Sequence, residues 1–380
     1  MGTDFEAEGL LDGLDGPARE ARLELLRRLA SDGYELEELR AAAGDGRLAL
    51  LAVERTLSGG TSRYTEGEIT ERTGLDPDFL KRLWRALGMA VADEEDRAFT
   101  DSDLEAAERV KAFRDGGLED DDIIELSRVM GRSMYGVAAA IGEVFRETYQ
   151  QPGDDELSLA LRYAEAARSL TPMLGPMLEH VLSLQQRSII DQVAVDGAAL
   201  AEGRMANSEE VAVCFADLVD FTKLGESVEA AQLGAVADRL EELAGDVAEP
   251  PVRLIKTIGD AVMLQSRDTD ELLAAALAIV EAADAEGEGF PQLCAGVAQG
   301  EALPRAGDWY GRPVNLASRI TGIARPGSVL VAGEVKDAVQ RDFRFSFAGG
   351  RRIKGVGGEV KLYRARPPDA GNDGSAPTQL

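Results

Sequence analysis

A single histidine, His180, stands among 380 residues, which excludes a multi-histidine metal centre and leaves little room for histidine-triad hydrolysis. Cysteine is almost as scarce. The two present, Cys214 and Cys294, lie inside strand-like apolar runs, so neither a disulfide framework nor a thiolate metal site is expected, and a reducing compartment fits. Positive charge is also short: 41 Lys and Arg face 69 Asp and Glu, a formal net charge of -28. Such a surface repels phosphate backbones and anionic membranes unless basic residues cluster locally, so nucleic acid is disfavoured as a partner. No apolar run approaches the roughly 20 residues that span a bilayer. The N-terminal MGTDFEAEGLLDGLDGP is acidic where a signal peptide would be basic. The expectation is a cytoplasmic protein with no membrane partner.

What is present is ordinary globular material, 44% hydrophobic, and a chain this long can bury two or three cores. Up to about residue 175 the apolar residues recur at three- and four-residue spacing, beginning with ARLELLRRLASDGYELEELRAAAG, and an all-α domain is expected. The segment PMLEHVLSLQQRSIIDQVAVDGAALAEG, between Pro176 and Gly203, reads as one striped linker helix over 176–205, its stripe facing another domain or the same helix of a second chain. His180 lies on it, either as a proton-sensitive joint, since imidazole titrates in the physiological range, or as a plain surface residue. From 206 to 366 the pattern changes to short strands, VAVCFADL, VRLIKTIG, AVMLQS, QLCAGVAQ, SVLVAG, FRFSFAG and VKLYRAR, with helices near 226–247, 268–285, 313–324 and 333–340. That order predicts an α+β domain with a largely antiparallel sheet. The end, 367–380, is Pro, Gly and polar, and is expected to be disordered.

Within the helical half, YTEGEITERTGLDPDFLKRLWRALGM followed by RAFTDSDLEAAERVKAFRDGG resembles the winged helix-turn-helix of MerR-type regulators in its order of elements. Thr100 or Ser102 can cap the helix that follows. The second helix carries Lys81, Arg82 and Arg85, but the wing-like ADEEDR is acidic, the wrong sign for a DNA reader. A helical regulatory fold is the expected use of this segment.

Two apolar runs in the C-terminal half end in acids. VAVCFADLVDFTKLGE, 211–226, places Asp217 and Asp220 just before FT, and IKTIGDAVML, 255–264, places Asp260 beside a tight turn. Taken alone, each acid could mark a strand leaving the core for water. A third stretch, GDWYGRPVNLASRI, carries Asp308, Asn315 and Arg319, the last two on one helical face at i and i+4.

Together FADLVDFT, KTIGDAVM and VNLASRI resemble the ferredoxin-like catalytic domain of class III nucleotidyl cyclases, over about residues 206–366. The helical half with its striped linker resembles that of actinobacterial adenylyl cyclases whose N-terminal domain regulates catalysis. The resemblance implies that Asp217, Asp260 and the backbone carbonyl of Leu218 hold two Mg²⁺ or Mn²⁺ ions per active site, hard cations suited to hard oxygen ligands. It implies that the Phe221–Thr222 turn holds phosphate and that Lys354, in RRIKGVGG, contacts the terminal phosphates. Lys256 and Asp308 match the purine-selecting pair. A lysine donor and an aspartate acceptor suit adenine N1 and N6, where guanylyl cyclases of this class typically carry Glu and Cys, so ATP is the implied substrate. Asn315 and Arg319 match the residues that orient the ribose and contact the phosphate in the transition state. Asp220 falls where family members vary, and is expected to be a solvated or turn-forming side chain. In the family one subunit's metal aspartates work with the partner's lysine, asparagine and arginine, which implies a homodimer. The alternative is a MerR-like DNA-binding regulator whose degenerate cyclase domain serves as a nucleotide receiver. Diguanylate synthesis is disfavoured, since no GGDEF or GGEEF occurs.

Overall fold

A computed structural model of the protein describes residues 4–57, 64–93, 95–192, 208–287 and 289–368. Contacts divide the chain into two compact units, Met1–Val195 and Asp196–Leu380.

Eight helices make up the first unit among the described residues: α1 Gly16–Ser31, α2 Leu36–Gly44, α3 Leu51–Leu57, α4 Glu66–Thr73, α5 Pro77–Leu87, α6 Asp101–Asp115, α7 Asp120–Tyr149 and α8 Glu156–Gln192. Leu25, Leu26 and Leu29 of α1 pack with Leu39, Leu48 and Ala160 in one core. Ile69, Phe79, Leu80, Leu83, Phe99, Ile123 and Ile124 form a second. Local chemistry sets the helix ends. Thr65 and Thr100 each accept from the amide three residues on, and Glu68 and Asp103 return the bond, two capping boxes. Gly74 and Gly88 close α4 and α5 in the left-handed region, at φ 71° and 81°.

Residues 88–99, in the place of the expected wing, show one isolated bridge, Tyr64 to Phe99, and no hairpin among the described residues. Lys81 pairs with the buried Glu66 at 3.3 Å and Arg82 with Asp121 at 2.6 Å. Those two cations answer carboxylates of their own unit, which further weakens a DNA-reading surface.

The linker helix differs from expectation. Helix α8 begins at Glu156 and runs through Pro172 and Pro176. A proline deletes one i→i−4 bond and usually marks an end. Here the buried residues of α8, Ala160 to Ala167, lie in its first part, which packs against α1 and α3, and the helix continues past both prolines. The expected continuation through 193–203 lies outside the described residues, as do 369–380 of the expected tail.

The second unit is an eight-stranded sheet with the order β2-β3-β1-β4-β6-β8-β7 and β5 paired to β4. Its strands are β1 Glu209–Leu218, β2 Arg253–Ile258, β3 Ala261–Ser266, β4 Leu293–Arg305, β5 Asp308–Gly311, β6 Ser328–Ala332, β7 Arg344–Arg351 and β8 Val360–Arg366. The helices are α9 Phe221–Gly225, α10 Ala230–Val247, α11 Thr269–Ala285, α12 Arg312–Thr321 and α13 Gly333–Ala338. Strands β1 to β4 form the antiparallel 4-1-3-2 core of a ferredoxin-like fold. β6 extends it parallel to β4. Strand β5 was not expected from sequence.

Alternation on β1 explains its continuous apolar run. Ala212, Cys214, Ala216 and Leu218 face a core closed by α10 and α11. Val211, Val213 and Phe215 face a second, smaller core closed by Leu316, Ala317 and Ile320 of α12. Both faces of the strand are therefore buried. The same alternation turns Asp217 toward the α12 face, at the strand's end.

Candidate active site

Asp217 and Asp260 meet because of strand register. Asp217 sits opposite Ala261 across the β1–β3 ladder, and the Leu218 amide donates to the Asp260 carbonyl at 3.0 Å. The β2–β3 turn thus holds Asp260 against the end of β1, helped by Gly259 at φ 62°. Asp217 is half-buried, and its Oδ1 is buried without a hydrogen-bond partner. Burial, then the nearby charge of Asp260 and a hydrogen bond with it, push its carboxyl from 3.8 up to about 6, while the Leu218 amide pulls the other way. Two adjacent carboxylates, one with an unanswered oxygen, are relieved by a shared proton or by a cation. Among the described residues no group of three or more His, Cys, Asp or Glu could form a complete protein cage. Two hard oxygen donors that leave the rest of the coordination sphere open fit Mg²⁺ or Mn²⁺, which keep waters or substrate oxygens, better than Zn²⁺ or Ca²⁺.

Lys256 and Asp308 come together from strands far apart in sequence: the Lys256 ammonium donates to Asp308 Oδ2. Asp308 is further held by the Trp309 amide, 2.8 Å from its Oδ1. Its place depends on β5, which folds back on the long β4 with Arg305 opposite Asp308. Lys256 follows a bulge in β2, and both side chains keep partial access to solvent.

Asn315 and Arg319 share the exposed face of α12. The Asn315 amide donates to the Gly311 carbonyl at 3.2 Å, the self-capping contact expected of an asparagine one turn into a helix. Arg319 opens into a cleft of about 930 Å³ that Lys354 also lines. Arg325, Arg351, Arg352 and Arg364 line it too, and no acidic side chain does. Sequence reasoning missed these four arginines, which are scattered over loops and two strands. In a chain of net charge -28, such a cleft is a local reversal of sign suited to a polyanion.

Leu218 ends β1 and is buried. Phe221 and Thr222 open the short α9. Asp220, just before them, adopts φ 60°, a left-handed conformation that aspartate tolerates. Its exposed carboxylate pairs with Lys223 at 2.6 Å, as a turn-forming residue would. The metal-type carboxylates, the Lys256–Asp308 pair and the Arg319–Lys354 cleft form three groups, and among the described residues no hydrogen bond or ion pair joins one group to another.

Residues 3–190 match the adenylate cyclase regulatory domain family, and residues 204–285 match the adenylate and guanylate cyclase catalytic domain family. A pH-sensitive adenylate cyclase of Mycobacterium tuberculosis is 42% identical over 371 residues, covering 96% of this chain and 92% of that protein. An adenylate cyclase of Streptomyces griseus is 32% identical over 293 residues, covering 74% of this chain and 70% of that protein. Among solved structures, the adenylyl cyclase CyaB from P. aeruginosa is 21% identical, covers 43% of this chain and 96% of its own, and has a TM-score of 0.37. The two matched domains, in that order, and the near full-length likeness to the mycobacterial protein lead to one conclusion: the chain belongs to the class III adenylate cyclases that carry an N-terminal adenylate cyclase regulatory domain.

Proposed function

We propose that the chain converts ATP to 3′,5′-cyclic AMP and pyrophosphate at composite sites of a homodimer, with its helical N-terminal unit setting the rate. The observation that carries this reading is the buried, unpartnered Oδ1 of Asp217 facing Asp260, a donor pair with no purpose in a merely structural strand end.

Each half of the site has a chemical task. Asp217 and Asp260, with the Leu218 carbonyl, would hold Mg²⁺ or Mn²⁺, two ions per site. Bound there, the ions would lower the pKa of the attacking ribose hydroxyl and neutralise the triphosphate. Lys256 donates to adenine N1 and Asp308 accepts from N6. Their mutual ion pair keeps both charged groups satisfied until a base takes its place between them. Asn315 orients the ribose. Arg319 donates to the α-phosphate oxygens, where negative charge grows as the 3′-oxygen closes the ring and pyrophosphate leaves. Lys354, in the same cleft, and the amides of the Phe221–Thr222 turn bind the outgoing phosphates. That neither Asp217 nor Asp260 lines the cleft of Arg319 and Lys354 supports a site shared between two chains. The likeness to proteins named adenylate cyclase supports ATP over GTP.

Boundaries follow the same reading: residues 1–175 as the regulatory domain, 176–205 as its link, 206–366 as the catalytic domain and 367–380 as a tail. Composition supports a cytoplasmic location, and no helix among the described residues is long and apolar enough to cross a membrane.

The test is turnover of ATP with Mg²⁺ or Mn²⁺ by the full chain, with cyclic AMP identified by mass. Asp217→Ala and Asp260→Ala should each lose at least about a hundredfold in kcat while the chain stays folded, since each removes a ligand and not core volume. Near wild-type turnover in either variant would overturn the assignment.

A further inference from the structure

Helix α12 carries Asn315 and Arg319, strand β1 carries Asp217, and the two elements are tied together at one place. Gly296 of β4 pairs with Phe215 of β1. A Cβ built on Gly296 would lie 2.3 Å from the Thr321 amide nitrogen and 2.5 Å from the Ala317 carbonyl oxygen, both backbone atoms. Only a residue without a side chain lets the last turn of α12 rest on the sheet there. Over that gap the Thr321 hydroxyl lies 3.0 Å from the Phe215 carbonyl and 2.9 Å from the Ala317 carbonyl of its own helix. Thr321 is 3% exposed, so water does not compete for the bond. Cys294, in register with Asp217, places its Sγ 3.7 Å from the Asp217 carbonyl and 3.6 Å from the Thr321 carbonyl.

Apolar packing alone does not account for the choice of residue. Valine has the shape of threonine and would suit the apolar surroundings of Leu316, Ala317 and Ile320. A buried hydroxyl costs desolvation unless it is bonded, and the single hydrogen of this one is shared between the Ala317 carbonyl of its own helix and the Phe215 carbonyl across the joint. Apolar contacts press a helix onto a sheet but are not directional, so they leave it free to shift along its own axis. The bond to Phe215, two residues before Asp217, removes that freedom.

We propose that Thr321 is a positioning residue for the reaction: its hydroxyl, seated against Gly296, fixes the height of α12, and so of Asn315 and Arg319, relative to the strand that bears Asp217. This rests on the cyclase reading above. If each chain lends β1 to one composite site and α12 to the other, the joint sets the spacing between the two halves that every chain contributes. Transition-state contacts are sensitive to displacements of an ångström, whereas Lys256 on β2 and Lys354 in the β7–β8 loop, which hold ATP in the ground state, lie on elements outside this joint.

The experiment uses the full chain with Thr321→Val, Thr321→Ser and Gly296→Ala. Thr321→Val should lower kcat on the order of tenfold with KM for ATP within about twofold, and Thr321→Ser, which keeps the hydroxyl, should recover kcat to within about twofold of wild type. Gly296→Ala should lower kcat as Thr321→Val does, by lifting the same turn. Deuterium exchange over 312–321 should be at least about threefold faster in Thr321→Val than in wild type or Thr321→Ser. Wild-type kcat in Thr321→Val, an equal loss in Thr321→Ser, or a rise in KM with kcat unchanged would overturn the proposal. Wild-type protein that makes no cyclic AMP would defeat the cyclase reading instead. In that case unchanged exchange in Thr321→Val would still overturn the joint, since that measurement needs no turnover.

Discussion

Asp217 shows how a single side chain can be held in tension by its surroundings. Its carboxyl keeps a proton up to about pH 6 in the fold, against an ordinary value of 3.8. Between those values the native state binds more protons than the unfolded chain, so stability falls as pH rises through this window and is level above it. Asp217→Asn removes that titration. In EDTA the variant should melt higher than wild type at about pH 7.5, with the gap closing below about pH 4, as thermal unfolding across pH would read. Added Mg²⁺ should raise the wild-type melting temperature and leave the variant where it was, because a ligand stabilises only the state that binds it. A variant that melts at or below wild type in EDTA at neutral pH would contradict the strain assigned to this carboxylate. Asp217 and Asp260 were visible in the sequence as acids that end an apolar run or sit beside a turn, whereas Lys256 and Asp308 stood out only through the resemblance to nucleotidyl cyclases. Thr321 and Gly296 did not stand out. A glycine inside LCAGVAQG and a threonine after NLASRI acquire meaning only when a helix is laid over the sheet.

At the level of elements, two of the three glycines in the long α7, Gly131 and Gly136, look alike in sequence and differ in the fold. A Cβ on Gly131 would come within 2.6 Å of the Leu87 carbonyl oxygen and 2.7 Å of the same residue's Cα, backbone atoms at the end of α5. Gly136 meets nothing within 4 Å. Gly131→Ala must therefore push α7 off α5, and should destabilise by about 1–3 kcal/mol. Gly136→Ala should stabilise by up to about 1 kcal/mol through helix propensity alone. Urea unfolding of the full chain, followed by helical circular dichroism, reads both. Equal signs would mean that α7 and α5 do not pack at Gly131. Helix α8 teaches a related lesson. Pro176 read as a boundary because proline lacks an amide hydrogen, but one missing i→i−4 bond does not end α8, which runs on to Gln192. Strand β5 was hidden for another reason: DWYG is too short to show alternation, and it becomes a strand by pairing with the extended end of β4.

For the whole molecule, the chemistry predicts that activity is a property of two chains. Asp217→Ala and Asn315→Ala should each be nearly inactive as homodimers. After subunit exchange, a mixed dimer carries one site with both lesions and one with neither, so an equimolar mixture should recover about a quarter of wild-type activity, half the dimers being mixed with one working site each. Cyclic AMP formation by the mixture, with exchange verified by tagged chains, checks this. No recovery would mean that Asp217 and Asn315 serve the same site within one chain.

The amino-acid sequence by itself determined the two-part organisation, the change from helical to strand periodicity and the family motifs, because those depend on local spacing and on residue types whose chemistry is fixed. Its charge and its single histidine also set expectations against nucleic-acid binding and a multi-histidine metal centre. Only the tertiary structure decided that Asp217 lies beside Asp260 with an oxygen unanswered, that Lys256 of β2 meets Asp308 of β5, that scattered arginines share one cleft with Arg319 and Lys354, and that Thr321 reaches Phe215 over Gly296. These depend on register and close approach between segments tens of residues apart. A linear pattern records which side chains are available, whereas which of them touch is set by how the sheet closes and how near a helix can come to it.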